Sequence, residues 1–131
     1  MTTALLDTSV IIDWADPAVI DALPDHAAVS AVSFAELSAG PALAKDASER
    51  ARRTYRIQQV ESLFDAIPFD ADCARSFGVV IAAVASLGRS HRGRFADLMI
   101  AATAHANAMP LLTRNPGDFV GLDEIVEVLA V

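Results

Sequence analysis

The chain has 131 residues, the size of one domain that can bury a hydrophobic core without disulfide or zinc staples, and we predict a single domain over residues 1–131. Its 17 acidic and 10 basic side chains give a net charge of −7, which argues against nonspecific coating of nucleic acid, because such binding depends on Lys and Arg. Cys73 is the only cysteine, which excludes an internal disulfide and a thiolate zinc cluster.

The apolar segments are too short to predict a membrane span. The longest of them, residues 76–88 and 98–113, fall below the roughly 20 residues that a span requires. The amino terminus also lacks the basic start of a secretory signal. We therefore predict a cytoplasmic protein without a membrane-spanning helix.

In chain order, the first third of the sequence predicts strands and helices in alternation. Residues 4–6 form an apolar run, typical of a buried parallel strand, and the run ends at Asp7. A short helix is predicted next, and a second helix begins with Pro17. Residues 27–32 predict another strand, with Ser33 as the cap of a helix that carries Glu36.

The middle of the chain predicts two long helices separated by a short strand. Residues 46–64 combine dense charge with apolar side chains at helical spacing, which indicates an amphipathic helix. Residues 66–69 suit a short strand, and residues 70–87 suit a mostly buried helix. A basic, glycine-punctuated loop is predicted over residues 88–94.

The last third predicts a helix, two strands and a turn. Asp97 opens an alanine-rich helix that extends to residue 108, and residues 109–113 resemble a buried strand. Proline and glycine within residues 115–118 indicate a type II turn. Residues 125–129 suit a final strand.

This alternation predicts an α/β fold with a mainly parallel central sheet flanked by helices. Ligands of such folds bind outside the carboxyl ends of the strands. Asp7 and Asp118 follow predicted strands at that edge, whereas Glu36 and Asp97 lie within or at the start of helices. We expect folding to bring the four acids together.

Each acid taken alone has an ordinary structural explanation. Asp7 would cap the helix that follows it, Asp97 would stabilise a helix dipole, and Asp118 would occupy a turn. Glu36 has the alternative of a solvated helix position, although its apolar neighbours favour burial. Together, however, four carboxylates at one edge would repel one another unless a cation neutralised them. An oxygen-only set selects Mg²⁺ or Mn²⁺, and phosphodiester hydrolysis is the matching chemistry.

Four sequence blocks resemble the motifs of the PIN-domain family. They are residues 5–12, 30–37, 96–104 and 112–119, and together they span nearly the whole chain. Within that family, a short single-domain chain of this kind is similar to VapC-type toxins of toxin–antitoxin pairs. The resemblance implies a single PIN-like domain with toxic, metal-dependent endoribonuclease activity.

The resemblance also implies the site residues and the partners. The acidic metal-binding set corresponds to Asp7, Glu36, Asp97 and Asp118, with Mg²⁺ or Mn²⁺ as cofactor. Supporting side chains around this set correspond to Thr8, Ser9, Thr113 and Asn115, of which Asn115 could share the role of Asp118. The implied partners are an RNA substrate, a cognate VapB-type antitoxin and a second copy of the chain, with DNA bound only through the antitoxin.

Basic residues near the acids are candidates for RNA contact. They are Arg89, Arg92, Arg94 and Arg114. The alternative for each is a solvated surface charge. The arginines between residues 50 and 56 are better suited to face an antitoxin.

Two other functions remain open at this level. A metal-dependent phosphatase of the haloacid-dehalogenase kind would need a second aspartate where Ser9 stands, which disfavours it. A noncatalytic PIN-like module that binds RNA or protein would not need the complete acidic set.

Overall fold

The computed structural model, which describes residues 2–131, is built on a five-stranded parallel sheet. The strands are β1 (Thr3–Leu6), β2 (His26–Ser30), β3 (Ala66–Ile67), β4 (Leu111–Thr113) and β5 (Val128–Ala130). Their order across the sheet is β3-β2-β1-β4-β5, and each neighbouring pair is parallel. The predicted α/β fold is confirmed, and β1 occupies the centre of the sheet.

Helices connect these strands and cover the sheet. They are α1 (Thr8–Ile12), α2 (Pro17–Ala22), α3 (Ala31–Ala39), α4 (Ala47–Leu63), α5 (Ala71–Ser86) and α6 (Phe95–Ala106), with 3-10 helices at Pro41–Leu43 and Pro116–Phe119. Aspartates begin three of the helices, because their carboxylates accept otherwise unpaired backbone N–H groups. These N-caps are Asp16 of α2, Asp46 of α4 and Asp70 of α5.

Alternation along the central strands divides the core into two halves. Leu5 and Leu111 are buried against α5 and α6, whereas Leu6 and Leu112 are buried with residues of α1 to α4 on the opposite face. Successive side chains of a strand point to opposite faces, so continuous apolar runs suit strands covered on both sides. Within residues 2–131, no helix has the length and apolarity needed to cross a membrane.

The structure corrects three local predictions. The second strand ends at Ser30, and Ser30 rather than Ser33 caps α3, since its side chain accepts the N–H of Ser33. Helix α6 begins two residues before Asp97, so Asp97 lies inside its first turn. The predicted type II turn is a 3-10 helix, Pro116–Phe119, and the nearby left-handed glycine is Gly121, with φ of 93°.

Candidate active site

Asp7 lies where two central strands end side by side. It follows β1, and Thr113 closes the neighbouring β4. The Asp7 side chain is 4% exposed, and its Oδ2 accepts hydrogen bonds from Ser9 Oγ at 2.7 Å and Thr113 Oγ1 at 2.8 Å. Although Asp7 occupies the N-cap position of α1, its side chain makes no capping hydrogen bond. Two hydroxyl groups therefore fix this carboxylate, and Oδ1 receives no hydrogen bond from the described residues.

Glu36 is connected to the same region through Thr8. The Thr8 hydroxyl donates to Glu36 Oε1 at 2.7 Å and lies 2.9 Å from Ser33 Oγ. Glu36 is exposed, so the burial favoured by its apolar sequence neighbours does not occur. Thr8 thus joins the start of α1 to the middle of α3 and directs one oxygen of Glu36.

Asp97, in the first turn of α6, is the electrostatically perturbed member of the set. Partial burial raises the pKa of its carboxyl group to about 6, because desolvation penalises the charged form. Repulsion from three further carboxylates acts in the same direction, those of Asp7, Asp118 and Glu36. The Arg94 guanidinium opposes the increase. Asp97 therefore lies within electrostatic range of the other three acids, and their shared role in binding a cation stays a prediction.

Asp118 and Asn115 lie on the connection after β4. The Asn115 N–H donates to Thr113 Oγ1 at 3.0 Å, and the Asp118 N–H donates to the Asn115 carbonyl at 3.0 Å. Arg94 donates to the Asp118 backbone carbonyl, which connects this segment to the loop before α6. The same hydroxyl that holds Asp7 therefore also anchors the segment that carries Asp118.

The composition of this acidic edge fits a hard divalent cation. Its donors are carboxylate and hydroxyl oxygens, the ligands that Mg²⁺ and Mn²⁺ prefer. Within residues 2–131, however, no three His, Cys, Asp or Glu side chains converge tightly enough to form a ready-made metal site. Coordination requires oxygens at about 2.0–2.1 Å from Mg²⁺, whereas carboxylates repel over longer distances. The acids thus share one edge without forming a closed coordination shell.

Two of the predicted RNA-contact arginines differ in how strongly they are engaged. Arg94 reaches the acidic edge through its bond to Asp118. Arg114 is bound by acids, with Nη1 2.7 Å from Asp16 Oδ2 and Nε 3.5 Å from Asp13 Oδ2. A phosphate would therefore have to compete with two carboxylates for Arg114.

A basic surface of α4 also borders the site, although the sequence favoured an antitoxin-facing role for these arginines. A cavity of about 470 Å³ is lined by Thr8 and Glu36 on one side and by Arg52, Arg53 and Arg56 on the other. Arg53 is held by Gly40 O and Glu49, whereas the Arg56 guanidinium makes no hydrogen bond or ion pair with residues 2–131. The spacing of these arginines at three and four residues places them on one helix face, and this spacing could have predicted the basic surface from the sequence.

A parallel α/β sheet with carboxylates beyond the ends of its central strands is the architecture of an α/β domain that binds its ligand at the carboxyl edge of the sheet. Residues 4–124 match the family model of the PIN domain. The chain therefore belongs to the PIN-domain family.

Named relatives narrow this assignment. The chain is 35% identical over 126 residues to ribonuclease VapC5 of Mycobacterium tuberculosis, covering 95% of this chain and 90% of the relative. It is 32% identical over 111 residues to ribonuclease VapC of Rickettsia bellii, covering 82% and 78%. A crystal structure of VapBC-5, a toxin–antitoxin family member from Mycobacterium tuberculosis, matches with a TM-score of 0.84 and 34% identity over 100% of both chains. The chain is thus a VapC-type member of the family.

Proposed function

We propose that this chain is a VapC-type toxin, an endoribonuclease that hydrolyses RNA phosphodiester bonds with Mg²⁺ or Mn²⁺. The strongest support is the geometry of Asp7. Its carboxylate does not cap α1 but is held on Oδ2 by Ser9 and Thr113, which leaves Oδ1 for a cation. A role limited to helix capping does not account for this arrangement.

The four acids would hold the cation together, each with carboxylate oxygens from a different part of the fold. Asp7 provides a fixed oxygen, and Glu36 provides one directed by Thr8. Asp97 and Asp118 complete the set from α6 and from the segment after β4. A divalent cation there supplies positive charge that lowers the pKa of water and stabilises negative charge on phosphate. Asn115, whose backbone binds Thr113, supports the Asp118 segment.

Basic side chains around the acids are suited to bind the RNA backbone. Arg94 approaches from the loop before α6, and Arg56 approaches from the cavity bounded by Glu36. Arg89 and Arg92 lie on the same loop as Arg94 and extend this basic side. Phosphates held by these groups would place the backbone across the acidic edge.

We also propose the partners that the VapC relatives suggest. A VapB-type antitoxin would inhibit the enzyme, and DNA would be bound only through that antitoxin, consistent with a net charge of −7. A homodimer would bury the aliphatic and alanine-rich outer face of α5, on which Val79 is exposed, together with the exposed Leu87 that follows the helix. The complex would act in the cytoplasm, where its RNA substrate is found.

The domain is proposed to extend over residues 1–131, beyond the residues that match the family model. Strand β5, which lies beyond the matched residues 4–124, pairs with β4. The Val131 N–H also donates to Thr113 O at 3.0 Å. The final residues thus support the strand that carries Thr113.

The decisive experiment measures cleavage of total RNA by the purified chain with Mg²⁺, with Mn²⁺ and with excess chelator. We expect cleavage with either cation and none with chelator. Growth arrest on expression, relieved by co-expression of a VapB-type antitoxin, would support the toxin assignment. Undiminished cleavage in chelator would contradict the mechanism, and absence of cleavage under all conditions would contradict the function.

A further inference from the structure

An exposed aromatic side chain lies next to the acidic edge and is not explained by cation binding. Phe95 is the first residue of α6, two positions before Asp97, and is 51% exposed. The ring of Phe77 stacks on Phe95, with centroids 5.9 Å apart and an interplanar angle of 23°. His91 contacts Phe95 edge-on, with centroids 5.8 Å apart and an angle of 69°. Two neighbours therefore orient this ring while half of its surface stays accessible.

The ring of Phe95 also belongs to an apolar path that leads to the acids. A depression of about 240 Å³ is lined by Phe69, Ala74, Phe77, Phe95 and Met99. Phe69 and Met99 also line a second depression of about 500 Å³, which extends to Glu36. An apolar ring seated at Phe95 would thus lie on a surface that continues to the acidic edge.

The charge around Phe95 indicates which apolar group it receives. Arg89, Arg92 and Arg94 lie on the loop that immediately precedes it, although the chain as a whole carries a charge of −7. An aromatic platform beside basic side chains is suited to a ligand with flat rings joined by phosphates. Single-stranded RNA has this chemistry, because its unpaired bases stack on aromatic rings while its phosphates bind arginine.

We propose that Phe95, supported by Phe77 and His91, is a stacking platform for an unpaired nucleobase of single-stranded RNA. The base extends the Phe77–Phe95 stack, and the attached phosphates reach the arginines of the loop. This inference rests on the proposed ribonuclease function and adds to it a binding subsite for one base. Bases inside a duplex are already stacked on their neighbours, so the platform selects single-stranded segments.

The test compares four proteins on one single-stranded RNA decamer with Mg²⁺: wild type, Phe95→Ala, Phe95→Leu and Phe95→Trp. Loss of one stacked base weakens binding by about 5- to 100-fold. We expect KM to rise about tenfold in Phe95→Ala and in Phe95→Leu, which retains apolar bulk but no aromatic face, with little change in kcat. Phe95→Trp should restore the wild-type KM. Ile20→Ala, which removes a similarly exposed side chain (54%) from α2, is the matched control and should leave KM unchanged.

A spectroscopic measurement separates stacking from general apolar contact. In Phe95→Trp, the decamer should quench tryptophan emission beyond the change seen in wild type, whose only tryptophan is Trp14. A duplex of the same sequence should quench it little. Normal melting temperatures for the variants would exclude unfolding as the cause of a raised KM.

The contradicting results are distinct from those for the proposed function. A wild type that cleaves RNA, together with a Phe95→Ala variant of unchanged KM, would overturn only the stacking platform. Equal KM values for Phe95→Leu and wild type would overturn it as well. Sedimentation could instead show that wild type is a dimer and Phe95→Ala a monomer, with a KM that follows the concentration of dimer. Phe95 would then contact a second copy of the chain, and the inference would be wrong. Absence of cleavage by wild type would instead contradict the ribonuclease function itself.

Discussion

The acidic edge has two sides that are built differently, one on the sheet and one on α6. On the sheet side, Asp7 is buried and receives hydrogen bonds from the hydroxyl groups of Ser9 and Thr113. On the helix side, the Asp97 carboxylate is half-buried, receives no hydrogen bond within residues 2–131 and is repelled by the other acids. Arg94 is the basic residue that lowers its pKa.

This difference separates two requirements of the proposed cation site. Hydrogen bonds on the sheet side fix the position of an oxygen before any cation binds, as partners of metal-ligating carboxylates generally do. The helix side carries negative charge that the protein itself neutralises only in part, so a cation is favoured there. Substitutions on the sheet side should therefore reduce RNA cleavage by displacing a carboxylate oxygen. Substitutions on the helix side should reduce it by removing negative charge.

The largest effect is expected for Asp97→Asn, which keeps the shape of the side chain and removes its charge. If Asp97 helps to hold the cation, RNA cleavage should fall by at least about 100-fold, because even partners that only orient metal ligands account for 10- to 100-fold. The protein should stay folded, since relief of repulsion offsets the lost helix-dipole interaction. Cleavage of total RNA and thermal melting should be measured together.

The matched control for this variant is Asp123→Asn, which removes the same charge from an exposed position near the carboxyl terminus. Its cleavage should equal that of wild type. Full activity in a folded Asp97→Asn protein would show that Asp97 serves only the helix, and the proposed division of the site would be wrong.

A smaller effect is expected on the sheet side from Thr113→Val, which preserves shape but removes the hydroxyl. Asp7 then loses one of two donors and the Asn115 N–H loses its acceptor. We expect cleavage to fall by about 10- to 100-fold and the free energy of unfolding to fall by about 1–3 kcal/mol. Cation affinity, measured by calorimetry, should weaken in parallel.

Thr54→Val provides the comparison for the hydroxyl. Thr54 is exposed on α4, and among residues 2–131 its hydroxyl bonds only the Arg50 carbonyl of the same helix. Its loss should leave cleavage unchanged. If Thr113→Val is as active as wild type at limiting Mg²⁺, the hydroxyl does not position Asp7 for a cation.

The layout of strands and helices was predictable because its signals are local. Continuous apolar runs predicted β1 and β4, helical spacing of apolar side chains predicted α4, and a long, mostly apolar segment predicted α5. One of the errors arose where two nearby residues compete for the same role. Ser30 and Ser33 both suit an N-cap, and only the packed chain determines that Ser30 takes it.

The sequence names the candidate acids, whose role in binding a cation stays a prediction, but it does not predict the hydrogen bonds that connect them to the sheet. The order of strands in a parallel sheet brings Asp7 beside Thr113, but no local pattern predicts that one threonine holds both Asp7 and the Asn115 segment. The same limit applies to Arg56, because its position near Glu36 depends on how α4 packs against α3. The features that the sequence did not predict therefore depend on contacts between residues that are far apart in the chain.

The smallest expected effect is a pH-dependent difference in melting temperature between wild type and Asp97→Asn in metal-free buffer. The pKa of Asp97 is about 6 in the folded chain, above its ordinary value of 3.8. The folded protein thus retains a proton that the unfolded chain releases, so this stabilising contribution is present below pH 4 and is lost as the pH rises through 6. Asparagine does not titrate, so the variant should gain stability relative to wild type over that interval. Because Asp97 is only half-buried, solvent screens part of the effect, and we expect a shift of a few degrees.

Excess Mg²⁺ at pH 7 should reduce the difference in melting temperature, since a cation that binds the folded carboxylates stabilises wild type more than the variant. A difference that stays constant from pH 4 to 7, with or without Mg²⁺, would show that Asp97 carries no excess charge for a cation to neutralise.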